Sequence, residues 1–334
     1  MKKVGIIGTG LIGQTHAKCL QHIQNAKLQA IVQPMDELRN RQQEEFNCKG
    51  YANVKDMLED KEIDIVDICV PTYLHCEMVK LAASYGKHII CEKPFALTLD
   101  EVDQMIQAVN KAGIKLLVAQ VVRFWPEYAK IKEIVQKGLL GTGQRILTGC
   151  RLSQYPNWSG WFKDTSKSGG ALFDLHIHDV DFAYYLFGEV ESVYATGFKN
   201  STGAWDHVIS TLNFKSGDKA VIEGCNLMPD GYPFTMRMKV SGIEATVDLN
   251  YIGGYNVEGR DIAEKSLYYY KDKNKRQCIE VDDSDPYKLE LEYFINTIEN
   301  NDEINILPLT EVRKVIELMI AINKSLETNE IQYL

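Results

Sequence analysis

The stretch Val4-Gly5-Ile6-Ile7-Gly8-Thr9-Gly10-Leu11-Ile12-Gly13 constrains this chain more than any other. A continuous apolar run ends in three glycines spaced G-x-G-x-x-G, and a helical pattern follows at once. In a strand–turn–helix unit these glycines do different work. Gly8 permits the tight turn, Gly10 lets backbone approach a pyrophosphate, and Gly13 lets the helix pack closely on the strand. Phosphates then sit on the N–H groups of the helix start, those of Leu11 and Ile12 among them. A glycine turn can also exist without a ligand, so the context decides. Here the unit repeats. LQAIV (28–32), IVDICV (65–70), HIIC (88–91) and KLLVA (115–119) are short apolar runs separated by helix-length segments, the pattern of a parallel sheet covered on both faces. Thr98 and Glu101 make a capping box before a helix that Gly113 stops, and Gly86 stops the helix before it.

The fingerprint is incomplete at the end of the second strand. An acidic residue there would bind the ribose 2′-hydroxyl, but the position holds Gln33, followed by Pro34. Glutamine can bond a hydroxyl yet does not repel a 2′-phosphate. Asp36 and Glu37 are near enough to substitute, whereas Arg39 or Arg41 could meet a phosphate or simply be solvated helix residues. The expected cofactor is NAD or NADP, with NAD favoured.

Length and charge agree with a two-domain soluble protein. At ~150 residues per domain, 334 residues suit two domains. The balance of 46 acidic against 37 basic residues, net −9, argues against a nucleic-acid partner, which needs a basic face. No run approaches the ~20 apolar residues of a membrane span. Met1-Lys2-Lys3 before an apolar run imitates a secretory leader, but the glycines interrupt that run and a first strand explains it better. The eight cysteines stand singly with no C-x-x-C pair, so no metal site is expected and a reducing cytoplasm is the expected compartment.

Glu92-Lys93-Pro94 follows the fifth apolar run. Ligands of open parallel sheets bind beyond the carboxyl ends of the strands, so Lys93 is delivered there, and the proline restricts its conformation. A cation at that place can stabilise an alkoxide developing during hydride transfer; the plain alternative is a loop lysine paired with Glu92. The segment SGGALFDLHIHDVDFAYYLFG (168–188) reads as one helix, preceded by Gly169-Gly170 and followed by Gly188. Its apolar residues lie on nearly every side, which predicts burial. Asp174 and His178, four apart, share a face, and Asp181 continues it. The imidazole can take a hydroxyl proton as hydride leaves the carbon, with Asp174 orienting it. A satisfied structural Asp–His bond is the competing reading. His176 points elsewhere and reads as packing, which also discounts a metal site shared with His178.

After about residue 120 the pattern changes. Following a helix over 126–137, QRILTGCRLS, DHVISTLNF, KAVIEGCN, TMRMKV and ATVDL are strand-like, several alternating with period two. They predict a mostly antiparallel sheet with helices on one face. Two helices close the chain, the last capped by Thr310 with Val312, Val315, Ile316, Met319 and Ile320 in register. The loop that leads into the histidine helix carries Tyr155, Trp158, Trp161 and Phe162, and Tyr232 follows a Pro-Asp-Gly turn. Such aromatics suit a polyhydroxylated ring, or they pack the loop itself. Arg123 either contacts cofactor or substrate or anchors the link between the domains.

With these motifs in this order, the chain resembles the Gfo/Idh/MocA oxidoreductases along essentially its whole length. The family's glycine turn matches Gly8, Gly10 and Gly13, its EKP motif matches Glu92-Lys93-Pro94, and its D-x-x-x-H motif matches Asp174 and His178 after Gly169-Gly170. CVPTYLH resembles its T-P-x-x-x-H loop, which would put Pro71, Thr72 and His75 near the dinucleotide. RFWPEY (123–128) resembles the start of its second domain. Gln33 and Val121-Val122 depart from the pattern. The resemblance implies an N-terminal Rossmann domain (1–120) and a C-terminal α+β domain (121–334) on a large open sheet that makes a homodimer or homotetramer contact. It implies Lys93 as the catalytic lysine. The resulting expectation is hydride transfer between the nicotinamide and a secondary hydroxyl or carbonyl of a sugar, cyclitol or related polyol. Lys93, Asp174 and His178 are its catalytic residues; Lys93, Arg123, Tyr155, Trp158, Asp174, His178 and Tyr232 are its substrate contacts. The alternatives are a redox-assisted eliminase or glycoside-cleaving enzyme that recycles its NAD, and a dinucleotide-binding regulator without turnover.

Overall fold

The computed structural model describes residues 1–155, 160–253, 264–271 and 276–334. The chain divides into two compact units, Met1–Phe124 with Ser284–Ile316, and Trp125–Asp283 with Glu317–Leu334. The segment 284–316 thus stands with the first unit, whereas the resemblance implied a second domain unbroken from 121 to 334.

The first unit alternates β1 (Lys2–Ile7), α1 (Leu11–Leu20), β2 (Ala26–Val32), α2 (Asp36–Phe46), β3 (Lys49–Tyr51), α3 (Val54–Glu59), β4 (Ile65–Ile68), α4 (His75–Ser84), β5 (His88–Glu92), α5 (Leu99–Ala112) and β6 (Leu116–Ala119). The six strands lie in the order β3-β2-β1-β4-β5-β6, all parallel. The order reverses direction between β1 and β4, the switch point at which open sheets of this kind bind ligands. All five apolar runs are strands; the added one, β3, is a short edge strand with no apolar signature. Thr98 caps α5 by accepting the Glu101 N–H, and Gly113 ends it with φ +64°.

The second unit opens with α6 (Pro126–Gln136), β7 (Ile146–Gln154) and α7 (Thr165–Ser168). There follow α8 (Ile177–Phe187), β8 (Val190–Lys199), β9 (Trp205–Phe214), β10 (Lys219–Met228), β11 (Phe234–Ser241), β12 (Thr246–Gly253), β13 (Glu264–Tyr270) and β14 (Arg276–Cys278). Then α9 (Pro286–Glu299) rejoins the first unit, and α10 (Leu309–Thr328) and β15 (Gln332–Tyr333) end the chain. Thr310 lies within the first turn of α10, not before it. The sheet runs β14-β13-β12-β11-β7-β10-β9-β8-β15, and the single parallel pair is β7 with β10. Alternation is clean in β9, where Val208, Leu212 and Phe214 are buried and Ile209 faces out. Among the described residues no helix is long and apolar enough to cross a membrane.

Replacing Thr98 by Ala removes the side-chain cap of α5 and should cost about 1 kcal/mol of stability. Urea unfolding of the two chains measures it, and a loss indistinguishable from zero would show that α5 does not need the cap.

Candidate active site

Sterics explain the glycine turn. Gly8 has φ +93°, and a Cβ there would stand 2.7 Å from the Cys69 carbonyl oxygen. A Cβ at Gly13 would stand 2.0 Å from the Gly8 carbonyl oxygen, while one at Gly10 would meet nothing within 4 Å. The protein's own backbone therefore requires glycine at 8 and 13, and position 10 leaves open space in front of it. The start of α1 has no side-chain cap and no acidic residue in its first turn. Its leading N–H groups, from Leu11 and Ile12 onward, suit an anionic acceptor. These features suit a dinucleotide, which the backbone of residues 8–13 would hold.

Around the turn, Gln33 is buried. Its amide donates to Thr9 Oγ1 at 2.8 Å, and its side-chain oxygen accepts the Met35 N–H at 3.2 Å. The glutamine that stands where an acid was expected is thus engaged in bracing the turn. Arg39 donates to the carbonyls of Gln33 and Pro34 and pairs with Asp36, whose side chain is 82% exposed. Glu37 and Arg41 are exposed.

Past β4, Pro71 leads a short 3-10 turn, Thr72–Leu74, with Thr72 buried. His75 is buried too, its Nδ1 3.0 Å from the Pro94 carbonyl and its Nε2 2.9 Å from the Val70 carbonyl. Burial holds its pKa below the ordinary histidine range, against the carbonyls that raise it. In the neutral ring only one of these contacts can be a donated hydrogen bond. The ring clasps the loop after β4 to the loop after β5. At the end of β5 Glu92 is buried and Lys93 half-buried, and the Lys93 N–H donates to Glu92 Oε2 at 3.0 Å. The Lys93–Pro94 bond is cis.

In the second unit, the expected continuous helix is instead a π turn, Leu172–His176, running into α8. The wider turn rotates the residues before it relative to α8. Asp174 comes out half-buried while Leu172, Phe173, Leu175 and His176 stay buried. The approach depends on Gly169 and Gly170, with φ +72° and +68°; a Cβ on Gly170 would stand 2.9 Å from Asp206 Oδ1. Asp206 accepts the Ala171 N–H at 2.9 Å and so satisfies the start of the turn. Burial holds Asp206 above the usual carboxylate range, with the charge of Asp174 adding to it. His178 and Asp181 are buried on α8. His176 packs as expected: its Nε2 is 2.7 Å from Ser210 Oγ, and burial pulls its pKa down to about 3.

Sequence reasoning missed the groups that hold α8. Arg151 of β7 is buried and donates to both carboxylate oxygens of Asp179, each at 3.1 Å, and to Tyr128 Oη at 3.2 Å. Asp206 was missed as well. Neither has a local signal, because the partners are 28 and 35 residues apart. Of the aromatics, the Tyr155 ring meets the edge of Phe162 at 6.4 Å, and Trp161 meets Phe162 at 5.4 Å. The Tyr232 carbonyl accepts from Gln154 at 3.0 Å, which brings Tyr232 to the same end of β7 as Tyr155. Trp158 lies outside the described residues. Arg123 is buried and donates to the Ile306 carbonyl at 2.7 Å and to Glu311 at 2.6 Å, both within the first unit.

Residues 2–120 match the oxidoreductase family with an NAD-binding Rossmann fold, and residues 128–248 match the GFO/IDH/MocA C-terminal domain. An uncharacterized oxidoreductase of Bacillus subtilis, YrbE, is 36% identical over 72% of this chain and 72% of its own. Myo-inositol 2-dehydrogenase of Thermotoga maritima is 30% identical over 90% of this chain and 89% of its own. The crystal structure of a probable dehydrogenase from Thermotoga maritima superimposes with a TM-score of 0.82 at 27% identity, over 99% of this chain and 98% of that one.

Asp179→Ala leaves the Arg151 guanidinium buried without its carboxylate. The expected loss is about 3–5 kcal/mol in urea unfolding. A loss below ~1 kcal/mol, the worth of an exposed pair, would show that the ion pair does not hold α8.

Proposed function

The chain belongs to the Gfo/Idh/MocA oxidoreductase family, and on that premise we propose that it oxidises a secondary hydroxyl of a cyclitol, sugar or related polyol reversibly. The observation that carries this reading is Asp174 and His178, set at the junction of a π turn and a buried helix. Acid–base groups so placed suit removal of a hydroxyl proton. His178 takes that proton and returns it in the reverse direction. Asp174 orients the imidazole and the substrate hydroxyl. Lys93 stabilises negative charge on the reacting oxygen. Bound NAD supplies the hydride acceptor. Tyr155, Trp158 and Tyr232 contribute flat faces and hydroxyls to the sugar ring, whereas Arg123 contributes through its anchor on Glu311.

Several groups support NAD over NADP. Arg39 is already engaged by two carbonyls and Asp36, and the exposed Asp36 carboxylate opposes a 2′-phosphate. Gly8, Gly10, Leu11, Ile12 and Gly13 hold the pyrophosphate, and Gln33 braces their turn. Pro71 and Thr72 border the dinucleotide, and His75 and Glu92 shape the loops that do so. The relative named for its action on myo-inositol supports a cyclitol or sugar as substrate. The eight unpaired thiols suit a reducing cytoplasm.

A polyol panel read by absorbance of the reduced nicotinamide tests the reaction. His178→Ala should lower kcat by ~10²–10⁴-fold on whichever polyol the parent chain oxidises. Unchanged turnover removes His178 from the mechanism. Product formed without net NADH points to redox-assisted elimination, and an inert chain that still binds NAD points to a regulator.

The second copy of a homo-oligomer would sit on the outward face of the nine-stranded sheet. Phe198 (69% exposed), Ile209, Val221 and Tyr194 lie on it, aligned through the pairs Tyr194–Thr211, Thr211–Val221 and Thr196–Ile209. Phe198→Asp with Ile209→Lys should convert the assembly to monomers in light scattering. An unchanged mass would move the interface elsewhere.

A further inference from the structure

Behind the end of β5 lies a set of titratable groups that the proposed reaction does not use. His16 of α1 is completely buried, and so are Asp67 of β4 and Glu290 of α9. His16 Nδ1 donates to Asp67 Oδ2 at 2.8 Å, and its Nε2 stands 3.3 Å from Glu92 Oε1, an ion-pair contact without a hydrogen bond. The other oxygen of Glu92 accepts the backbone N–H of Lys93. Resting on the reaction proposed above, we infer that His16 is a positioning residue. It clasps the carboxylates of Asp67 and Glu92, and through Glu92 it sets where β5 delivers Lys93.

Geometry and charge agree. Two carboxylates buried side by side repel each other, and each must leave water to be there. A cation between them relieves both costs at once. Burial works against charge on His16, but Asp67, by charge and hydrogen bond, then Glu92 and Glu290 outweigh it and push its pKa up to about 9. Burial, then the charge of Glu92, pushes Glu290 far above the carboxylate range. The remaining groups about the ring are neutral: the Cys69 thiol, 3.7 Å from His16 Nδ1 and 3.4 Å from Asp67 Oδ1, the Cys91 thiol, whose pKa burial raises, and Tyr287 of α9, its ring 5.8 Å from the imidazole. His16 is therefore the cation that Asp67 and Glu92 share, and Glu92 has one oxygen on it and one on the Lys93 backbone.

The sign of the pH effect follows. His16 binds its proton more tightly folded than unfolded, so its contribution is complete below the ordinary pKa of 6.5 and is lost as pH rises through about 9. Above that pH the clasp loses its charge, Glu92 loses its partner, and Lys93 shifts.

The test compares the full chain with His16→Asn, and with Asp67→Asn in case the first variant does not fold. Lysines are reductively methylated with 13C, and the Lys93 resonance is assigned through Lys93→Arg, with NAD present. In the parent chain this resonance should show an inflection near pH 9 as well as its own titration. In either variant it should be displaced at pH 7 and lack that inflection. On the best polyol, kcat should fall by roughly 10- to 100-fold, as for a misplaced catalytic group, with KM for NAD within about twofold because the glycine cradle is untouched. A Lys93 resonance and pH course identical in parent and variant overturn the positioning role. If the parent oxidises no polyol, the proposed reaction falls, and the resonance alone still decides the role of His16.

Discussion

Where α1 leaves β1 the backbone passes a point too narrow for a side chain, because a Cβ at position 13 would stand 2.0 Å from the Gly8 carbonyl oxygen. That contact lets the helix lie against the strand with Ala17 and Leu20 buried. One turn further on, it brings His16 down to Asp67 in the interior. The same approach leaves the first N–H groups of α1 uncapped at the carboxyl edge of the sheet. The uncapped helix start and the seat of the buried histidine are thus two results of one steric condition. A helix held further from its strand would deliver neither.

What could be read from the amino acids is what depends on near neighbours in the chain. The five apolar strands of the first sheet, the box of Thr98 and Glu101, the left-handed Gly113 and the glycine turn are all local chemistry. β3 was not legible, because Lys-Gly-Tyr carries no apolar signal and is a strand only through its pairing with β2. The backbone partners of His75 were not legible either, since they are the carbonyls of Val70 and Pro94, groups that every residue has. Arg123 finds Glu311 across 188 positions, and no spacing rule anticipates that. The motif Asp174–His178 was visible, but the π turn between them was not. A wide turn is chosen by what surrounds the helix, here the glycine pair and the Asp206 carboxylate, and the intrinsic preferences of the residues in it do not announce it.

The second unit solves a related problem with different parts. A helix as apolar as α8 can sit in several rotations against a sheet, because its hydrophobic residues point in most directions. The Arg151–Asp179 pair, with Tyr128 on the same guanidinium, removes that freedom. Moving Asp179 out of register would strand a charge in the interior. Rotation of α8 also sets the direction in which Asp174 and His178 leave the helix, so the buried ion pair controls the aim of both.

Buried charges are poor instruments of stability, since desolvation can exceed the attraction between them. Their advantage is angular. Apolar contacts change little in energy when a side chain slides or turns by a fraction of an ångström, whereas a buried carboxylate that accepts a hydrogen bond, as Glu92 does from the Lys93 N–H and Asp179 from Arg151, tolerates little displacement. Each unit places such a group immediately behind a residue of the proposed reaction: Glu92 adjoins Lys93, and Asp179 adjoins His178 in sequence. Adjacency in the chain matters here, because a peptide bond transmits position with almost no slack. The core around His16 and the core around Arg151 hold backbone, and the neighbouring side chains proposed to meet substrate inherit their accuracy from it.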